Sequence, residues 1–513
     1  MPVDLNDTRI DVNAPQYQRL LTNLQGNILK GHGRDFTVHI FVRFTGDVQA
    51  VRTGLTNFAE RSVTSQEKQL QEADQFQRFR IPGRLFGNVF LTAHGYEALG
   101  FTPDDVQANL REEKEEGQLE VLSSFYKGMH AHSDEFNDPA PAEWEPGYQE
   151  PHAIDAMFLI ADDDPTFLKR QARTLIDDIG GYAEVLVVEH GVALRNEVDE
   201  GIEHFGYVDG RSQPLFLEQD AKTEGPTDVW DPFEPLKLVL VEDSFSGGAQ
   251  QDCYGSFFVF RKLEQDVLRF KMNEQLLADR INQERQAKGL PPLTGEERER
   301  AGALVVGRFE DGTPVTLSPT DGFIPPKANN FIYADDDQGL KCPFQAHIRK
   351  ANPRGDIERE FGLLQAEAER PRRIVRRGIT FGERKRHPNT FQALEELPTR
   401  SVGGDTSRAV GLLFMCFQAS IPKQFGFMQK RWCNAEGFLR ESTGVDPVIG
   451  QKTPEVAAQN WPIEYDAPAG AQVQYDFGGF VTMKGGEFFF APSIPFLRSF
   501  AAGASGGGGQ GGA

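Results

Sequence analysis

The sequence predicts an α+β fold made of two similar halves, because a strand followed by a helix recurs along the chain. Residues 35–44 alternate apolar and polar side chains with the period of a half-buried strand, and residues 47–60 follow as an amphipathic helix. The same order of strand and helix recurs at residues 255–278. The repetition indicates that the second half copies the plan of the first.

Each half holds a further strand and helix. Residues 156–161 run into a helix-like segment at 165–179, and residues 411–417 run into another at 422–433. With an extra hairpin strand between the two pairs, this plan suits a split β-α-β unit, in which helices flank an antiparallel sheet. Periodicity alone leaves a parallel α/β sheet open as the alternative.

A chain of 513 residues is long for a single core, which favours two packed units or one duplicated unit. We expect an N-terminal ferredoxin-like half over residues 1–215 and a C-terminal ferredoxin-like half over residues 216–500. An insertion with an exposed helix is expected at about 280–325, where charge and proline are frequent. Residues 501–513 are nearly all glycine and alanine, so we expect a flexible tail.

The charge of the chain disfavours polyanionic partners. With 54 basic and 76 acidic residues, the net charge is −22, which argues against binding to nucleic acid or to anionic membranes. No 18-residue apolar span and no secretory signal is seen, so the sequence predicts a soluble, cytoplasmic protein without membrane contact.

The cysteines and phenylalanines of the sequence narrow the class of protein further. Four scattered cysteines without a Cys-x-x-Cys pair argue against a disulfide framework and against structural zinc. The 40 phenylalanines indicate a thick apolar interior, which either walls a large flat ligand or simply fills a core.

Three polar segments carry the candidate chemistry. Residues 206–214 (GYVDGRSQP) fix the carboxylate of Asp209 in a glycine-flanked turn, residues 342–354 (CPFQAHIRKANPR) offer His347 beside cationic side chains, and residues 376–382 (RRGITFG) begin with Arg376. An acid, a ligand and a cation are what a haem site that cleaves peroxide needs. Taken singly, each residue also has an ordinary structural explanation as a turn residue, a core histidine or half of an ion pair.

Five ordered motifs together resemble the dye-decolorizing peroxidase family. They are GYVDGRSQP, HIRKANPR, RRGITFG, GVDPVIGQ and FFFAPSIPFL, and the earlier segments LQGNIL (24–29) and LTAHGYEALG (91–100) are also similar to that family. The matches extend from about residue 24 to residue 497. The resemblance implies a dimeric ferredoxin-like, barrel-like α+β fold that holds one haem b (iron protoporphyrin IX) in its C-terminal half.

The resemblance also implies a role for each residue of the site. His347 would be the axial ligand of the haem iron, and Asp446 would be the carboxylate that accepts a hydrogen bond from its other ring nitrogen. Asp209 would shuttle the protons of peroxide, and Arg376 would stabilise the charge that develops as the O–O bond breaks. The implied activity is reduction of hydrogen peroxide followed by one-electron oxidation of aromatic, dye-type donors through a ferryl intermediate.

Other polar residues near His347 are expected at the haem edge. Arg349 and Asn352 follow the ligand closely enough to meet the haem propionates, and Arg354 could do the same, although each could equally be a surface group. The apolar runs 411–417 and 488–497 either wall the pocket or form core strands away from it.

One position departs from the family pattern. Some members carry a tyrosine five residues after the distal arginine, where this chain has Phe381, which has no hydroxyl proton to lose. Oxidation of bulky donors at the surface would then need another residue. Trp432 lies where the family can place a surface tryptophan for electron transfer, although a buried packing role is equally open.

Two other classes of function stay open at this level. One is a haem-binding carrier or sensor with little turnover, and the other is an acidic structural protein without a cofactor. Retention of Asp209 and Arg376 argues against a carrier, which needs only the axial ligand. The sequence leaves open the physiological donor, oxidation of manganese, the relative roles of Asp209 and Arg376, the pH optimum and the oligomeric state, with a homodimer as one option.

Overall fold

The structure is a computed structural model that describes residues 2–113, 122–322, 329–388, 398–401, 406–451, 457–467 and 471–500. In these ranges the strands are β1 (Phe36–Phe44), β2 (Phe86–Leu91), β3 (Ala156–Asp162), β4 (Ala183–Val192), β5 (Leu194–Arg195), β6 (Gly201–Ile202), β7 (Val241–Glu242), β8 (Tyr254–Gln265), β9 (Val375–Arg376), β10 (Ile379–Phe381), β11 (Gly411–Gln418), β12 (Gln459–Pro462), β13 (Gln472–Tyr475) and β14 (Val481–Ala491).

The α-helices of the same ranges flank these strands. They are α1 (Gln18–Asn23), α2 (Val48–Arg61), α3 (Gln66–Phe79), α4 (Ala93–Ala98), α5 (Pro103–Asn109), α6 (Ser124–Lys127), α7 (Pro165–Ile179), α8 (Ala221–Glu224), α9 (Val267–Ala287), α10 (Gly295–Val306), α11 (His347–Ala351), α12 (Asp356–Phe361), α13 (Gln365–Ala368), α14 (Phe425–Phe427) and α15 (Ile494–Ser499). No helix in the described part of the chain is both long and apolar enough to cross a membrane.

One large sheet joins both halves in the order β10-β11-β8-β14-β2-β3-β1-β4, with β7 and β9 added beside β8 and β11. Every pairing between these strands is antiparallel, so the parallel α/β alternative is wrong. The first half contributes β2-β3-β1-β4 and the second half contributes β10-β11-β8-β14. These two orders correspond strand for strand, which confirms the duplicated ferredoxin-like plan.

The two four-stranded sets meet at two places. Leu91 of β2 pairs with Phe490 of β14 inside the sheet. At the outer edges, the hydroxyl of Thr380 in β10 donates a hydrogen bond to the carbonyl of Val192 in β4. The first and last strands of the sheet therefore approach each other, which gives the barrel-like α+β architecture that the sequence predicts.

One predicted helix is explained by the cap at its first turn, and a second predicted helix differs from the observed structure. Helix α7 begins at Pro165 because the carboxylate of Asp164 accepts hydrogen bonds from the amides of Thr166 (2.8 Å) and Phe167 (3.1 Å), and it covers the predicted 165–179. The predicted helix 422–433 is different. It consists of the short α14 and a π-helical turn over Met428–Cys433, in which the amide of Asn434 bonds to the carbonyl of Gln429.

Most phenylalanines of the described residues are buried, both within the large sheet and outside it. The rings of Phe90 and Phe258 stack 4.3 Å apart, and those of Phe41 and Phe260 meet edge to face at 4.7 Å. The helix predicted in the 280–325 segment is α10, and its residues 300–305 are buried rather than exposed. The predicted flexible tail, 501–513, lies outside the described residues.

Candidate active site

Asp209 lies in a tight turn that two glycines make possible. Gly206 and Gly210 adopt φ angles of 100° and 81°, a region that side chains with a Cβ rarely enter. The backbone amide of Asp209 bonds to the carbonyl of Gly201 (2.9 Å), which fixes the turn against β6. The carboxylate is half-buried and accepts a hydrogen bond from the amide of Gly210 at 2.7 Å.

Arg376 reaches Asp209 from the second half of the chain. It ends β9, whose pairing with Cys416 of β11 fixes its position. Its Nη1 lies 2.7 Å from Oδ1 of Asp209, and its Nη2 donates to the carbonyl of Arg211 at 2.9 Å. Burial alone would raise the pKa of Asp209, but the charge of Arg376 and two hydrogen bonds hold that pKa below its usual value. Asp209 is therefore a carboxylate paired with a guanidinium.

His347 is the first residue of α11 and pairs with a buried carboxylate. Its Nδ1 lies 2.8 Å from Oδ2 of Asp446, which is fully buried. The other oxygen of Asp446 accepts hydrogen bonds from the amides of Val448 (2.8 Å) and Ile449 (3.0 Å), so the carboxylate cannot rotate freely. Among the described residues, Nδ1 is the only ring nitrogen of His347 with a hydrogen-bond partner.

Electrostatics couple the histidine and the aspartate. Burial works to lower the pKa of His347, but the charge of Asp446 and its hydrogen bond raise that pKa above its usual value. Burial works to raise the pKa of Asp446, and the same partner holds it below its usual value. The hydrogen bond to Asp446 orients the ring and keeps it electron-rich, as carboxylates do for histidines that ligate metals.

One cavity brings these residues together. It contains about 1440 Å³ of non-protein space, part of which is open to solvent, and His347, Asp209 and Arg376 all line it. Its apolar lining comprises Leu263, Val306, Ile348, Ile374, Leu412, Phe414, Met428, Val448, Ile449 and Val481.

Of the two apolar runs in the sequence, only one contributes to this lining. Leu412 and Phe414 of β11 line the cavity, because alternate side chains of a strand face the same side. The cavity lining includes none of residues 488–497. Residues 488–491 end β14, where Phe488, Phe489 and Phe490 are buried in the core, and residues 494–497 begin α15.

The predicted haem-edge residues separate into two groups. Asn352 and Arg354 line the cavity. Arg349 is not among the residues that line it. Its guanidinium is fully buried and bonds to the carboxylates of Asp336 (2.8 Å) and Asp356 (2.7 Å), which leaves it no part in the cavity.

Arg354 is the buried cation that fits an anionic group. It is 2% exposed, and its guanidinium donates only to neutral oxygens, those of Asn329, Phe331 and Ser212. No ion pair joins it to a carboxylate of the described residues. Burial lowers its pKa to about 9, because holding a cation in the interior without a counter-charge costs free energy. An acid group bound in the cavity would remove that cost.

Trp432 is not at the surface. It is 3% exposed and lies between the rings of Phe427 (5.7 Å) and Phe438 (5.3 Å). A bulky donor cannot contact its indole, so the prediction of a surface electron-transfer tryptophan was wrong. The packing alternative is the observed one.

Sequence reasoning missed several residues of the cavity. Arg308 and Arg373 add further cations to its wall, and Glu203 adds a carboxylate whose pKa burial raises to about 7. Glu203 could have been found from its position six residues before Asp209.

A second cavity opens beside the first and shares Arg376 and the turn 210–212 with it. Basic side chains outnumber acidic ones in its wall. The charged residues are Lys30, Arg34, Arg195, Arg211, Arg376 and Arg377 against Asp220 and Glu224. Neither Asp209 nor His347 lines this second cavity.

The residues present fit a haem. An apolar chamber, a histidine with one ring nitrogen held by a carboxylate, and a buried arginine without a carboxylate partner are the features that bind the ring, the iron and an acid side group. Outside this site, the described residues contain no group of three or more His, Cys, Asp or Glu side chains that could hold a metal ion.

Comparison with known proteins identifies close relatives, although no family model matches the chain. The multifunctional dye peroxidase DyP2 of an Amycolatopsis species is 41% identical over 97% of this chain and all of its own length. The dye-decolorizing peroxidase msp1 of Mycetinis scorodonius is 29% identical over 93% of this chain and 87% of its own. Among solved structures, a DyP-type peroxidase of an Anabaena species superposes with a TM-score of 0.83 at 39% identity, and covers 97% of this chain and 99% of its own.

Proposed function

The chain belongs to the dye-decolorizing peroxidase family and is a haem peroxidase, and from that premise we propose that His347 ligates a haem b whose peroxide chemistry Asp209 and Arg376 assist. The observation that carries this proposal is that the His347–Asp446 pair and the Asp209–Arg376 pair line one cavity. When bound, the haem supplies the iron at which hydrogen peroxide takes up two electrons. Aromatic donors then return these electrons one at a time.

Asp209 is positioned to move the proton of peroxide. Peroxide must lose a proton from one oxygen and gain one on the oxygen that leaves as water, so a carboxylate within reach of both lowers the barrier. Asp209 Oδ1 is held by the Gly210 amide and by Arg376, while the other oxygen has no hydrogen-bond partner among the described residues. That oxygen is free to accept the proton and return it.

Arg376 contributes a fixed positive charge. It lines both cavities and lies beside Asp209. A guanidinium stays protonated at any relevant pH and stabilises negative charge that develops on an oxygen. Its second task is to orient Asp209, because one of its nitrogens holds that carboxylate while another is anchored on Arg211.

Steady-state oxidation of an aromatic dye by the haem-loaded protein tests the proposal. We expect turnover that depends on both dye and hydrogen peroxide, and loss of most of that turnover in Asp209→Asn. A carrier or sensor would bind haem without turnover, and substitution of Asp209 would then change nothing.

Arg354→Gln is expected to weaken haem binding by about 10- to 100-fold. A hydrogen bond to a charged group is worth roughly 1.5–3 kcal/mol, and each ~1.4 kcal/mol is tenfold in affinity. Haem titration into the apoprotein, followed by absorbance, measures the change. Arg349→Gln is the matched control: it breaks a buried ion pair, which costs roughly 3–5 kcal/mol of stability. The folded fraction of that control should bind haem as tightly as the parent. Equal affinity of Arg354→Gln and the parent would contradict the assignment.

Asp446→Asn is expected to keep haem bound while making the iron easier to reduce. The amide can still accept a hydrogen bond from His347, but it cannot support imidazolate character in the ligand. A redox titration should show a higher midpoint potential, and the rate of the peroxide reaction should fall about 10- to 100-fold. An unchanged potential would show that the carboxylate has no influence on the ligand.

A further inference from the structure

Tyr207 lies two residues before Asp209 and lines the same cavity. Its ring is 5% exposed, and its hydroxyl donates a hydrogen bond to Oε1 of Glu274 in α9. Removing a phenol and a carboxylate from water costs free energy unless every polar atom of the pair has a hydrogen-bond partner. Packing alone therefore does not explain why these two groups are buried together.

A line of charged groups connects this pair to solvent. Nζ of Lys271, one turn earlier on α9, lies 3.0 Å from Oε2 of Glu274 and also bonds to the carboxylate of Glu310. Lys271 and Glu274 are buried, whereas the side chain of Glu310 is 34% exposed. A chain of hydrogen bonds and ion pairs therefore connects the hydroxyl of Tyr207 to the surface.

Helix α10 leaves room for the pair by carrying a glycine. A Cβ at Gly302 would lie 2.2 Å from Oη of Tyr207 and 2.5 Å from Oε1 of Glu274, so no other residue fits there without displacing them. Burial raises the pKa of Tyr207 well above its usual value, and the charges of Glu274 and Glu310 raise it further. The phenol therefore stays protonated and is the donor in the bond to Glu274.

We propose that Tyr207 is a redox-active residue that holds one of the two oxidising equivalents taken from peroxide, with Glu274 as the acceptor of its proton. One electron leaves Tyr207 toward the cofactor that peroxide has oxidised, the O–H bond breaks, and the proton forms an O–H bond on Glu274. The product is a neutral tyrosyl radical beside a neutral carboxyl group. When a donor supplies an electron, the proton returns from Glu274 and the phenol is restored. The inference rests on the proposed function, because peroxide is its oxidant.

The surroundings favour Tyr207 over the other aromatic side chains near the cavity. Trp230 lies 4.7 Å from the guanidinium of Arg354, which pairs with no carboxylate of the described residues, and this positive charge opposes the loss of an electron. At Tyr207, Lys271 is balanced by two carboxylates, so the local charge is negative before oxidation. A base already bonded to the phenolic proton lowers the barrier to removing it.

Electron paramagnetic resonance of the haem-loaded protein tests the proposal. The sample is frozen within a second of mixing with one equivalent of hydrogen peroxide and no donor. We expect an organic radical whose hyperfine splitting narrows when the protein carries ring-deuterated tyrosine. The signal should fall at least tenfold in Tyr207→Phe and in Glu274→Gln, whose amide cannot take a proton.

Tyr333→Phe is the matched control. Tyr333 is also fully buried, but its hydroxyl has no hydrogen-bond partner among the described residues, so its removal should leave the radical unchanged. Haem absorbance and thermal unfolding of each variant establish that it is folded and loaded.

The outcomes separate the two proposals. If the haem absorbance of the parent does not respond to peroxide, the proposed function itself fails. If the absorbance responds but no tyrosyl signal forms, or if the signal persists in folded Tyr207→Phe, the redox role of Tyr207 is wrong while the peroxidase site stands. The isotope experiment on the parent establishes whether the radical is a tyrosyl, and folded Glu274→Gln tests its assignment to Tyr207 even if Tyr207→Phe does not fold.

Discussion

His347→Ala is expected to abolish haem retention and, with it, all peroxide-dependent oxidation. The substitution removes the nitrogen that faces the cavity, and it leaves the fully buried carboxylate of Asp446 without its partner at 2.8 Å. An uncompensated buried charge costs several kcal/mol, so the apoprotein should also lose about 3–5 kcal/mol of stability at neutral pH. Absorbance of the purified variant and denaturant unfolding measure the two effects.

Free imidazole provides a sharper version of this experiment. Alanine leaves space for a small ring beside Asp446, so added imidazole should restore part of the haem absorbance by occupying the position of the lost side chain. His204→Ala is the control, because His204 is buried and bonds to the carbonyl of Phe381 but does not line the cavity. That variant should keep its haem. Full haem retention in His347→Ala without imidazole would show that another residue ligates the iron.

Arg376→Leu and Asp209→Asn are each expected to slow the reaction with peroxide by about 10²- to 10³-fold while haem stays bound. In the proposed mechanism both side chains act on the peroxide oxygens, and neither contacts His347. Because Arg376 also holds Asp209 at 2.7 Å, the two effects should not add, and the double variant should be little slower than the slower single one. Stopped-flow absorbance with peroxide measures the rates, and additive losses would show that the residues act separately.

The pH dependence of the same rate tests the pairing. The reaction needs the carboxylate form of Asp209, so the rate should fall as the pH drops through the pKa of that group. Arg376 is the main influence that lowers this pKa against the effect of burial. In Arg376→Leu the pKa should rise and the acid limb of the profile should move to higher pH. Arg376→Lys keeps the charge and should move the limb less, while Asp209→Asn should have no such limb.

Much of the fold could be predicted from local patterns. The helix predicted at 165–179 matches the observed helix at both ends. Asp164 and Pro165 are strong signals for its start. The antiparallel pairing could not be derived from periodicity, because alternation describes one strand and not its neighbour. The segment 422–433 was missed in detail, since a π-helical turn has the same apolar spacing as a helix over so short a length.

The site shows a similar limit. Arg349 and Arg354 stand five residues apart in one polar segment, yet one forms two buried ion pairs and the other lines the cavity. The difference arises from Asp336 and Asp356, whose positions depend on the fold of neighbouring loops. The prediction of an exposed Trp432 was wrong for the same reason, because burial depends on what packs against a residue rather than on its own identity.

The absorption spectrum of the purified protein, taken before and after one equivalent of hydrogen peroxide, tests the central claim most directly. We predict an intense Soret band of a histidine-ligated haem that shifts within seconds of mixing and returns when an aromatic donor is added. A protein grown with ample haem that shows no Soret band, or a band that peroxide leaves unchanged, would contradict the assignment of the cavity to a peroxidase site.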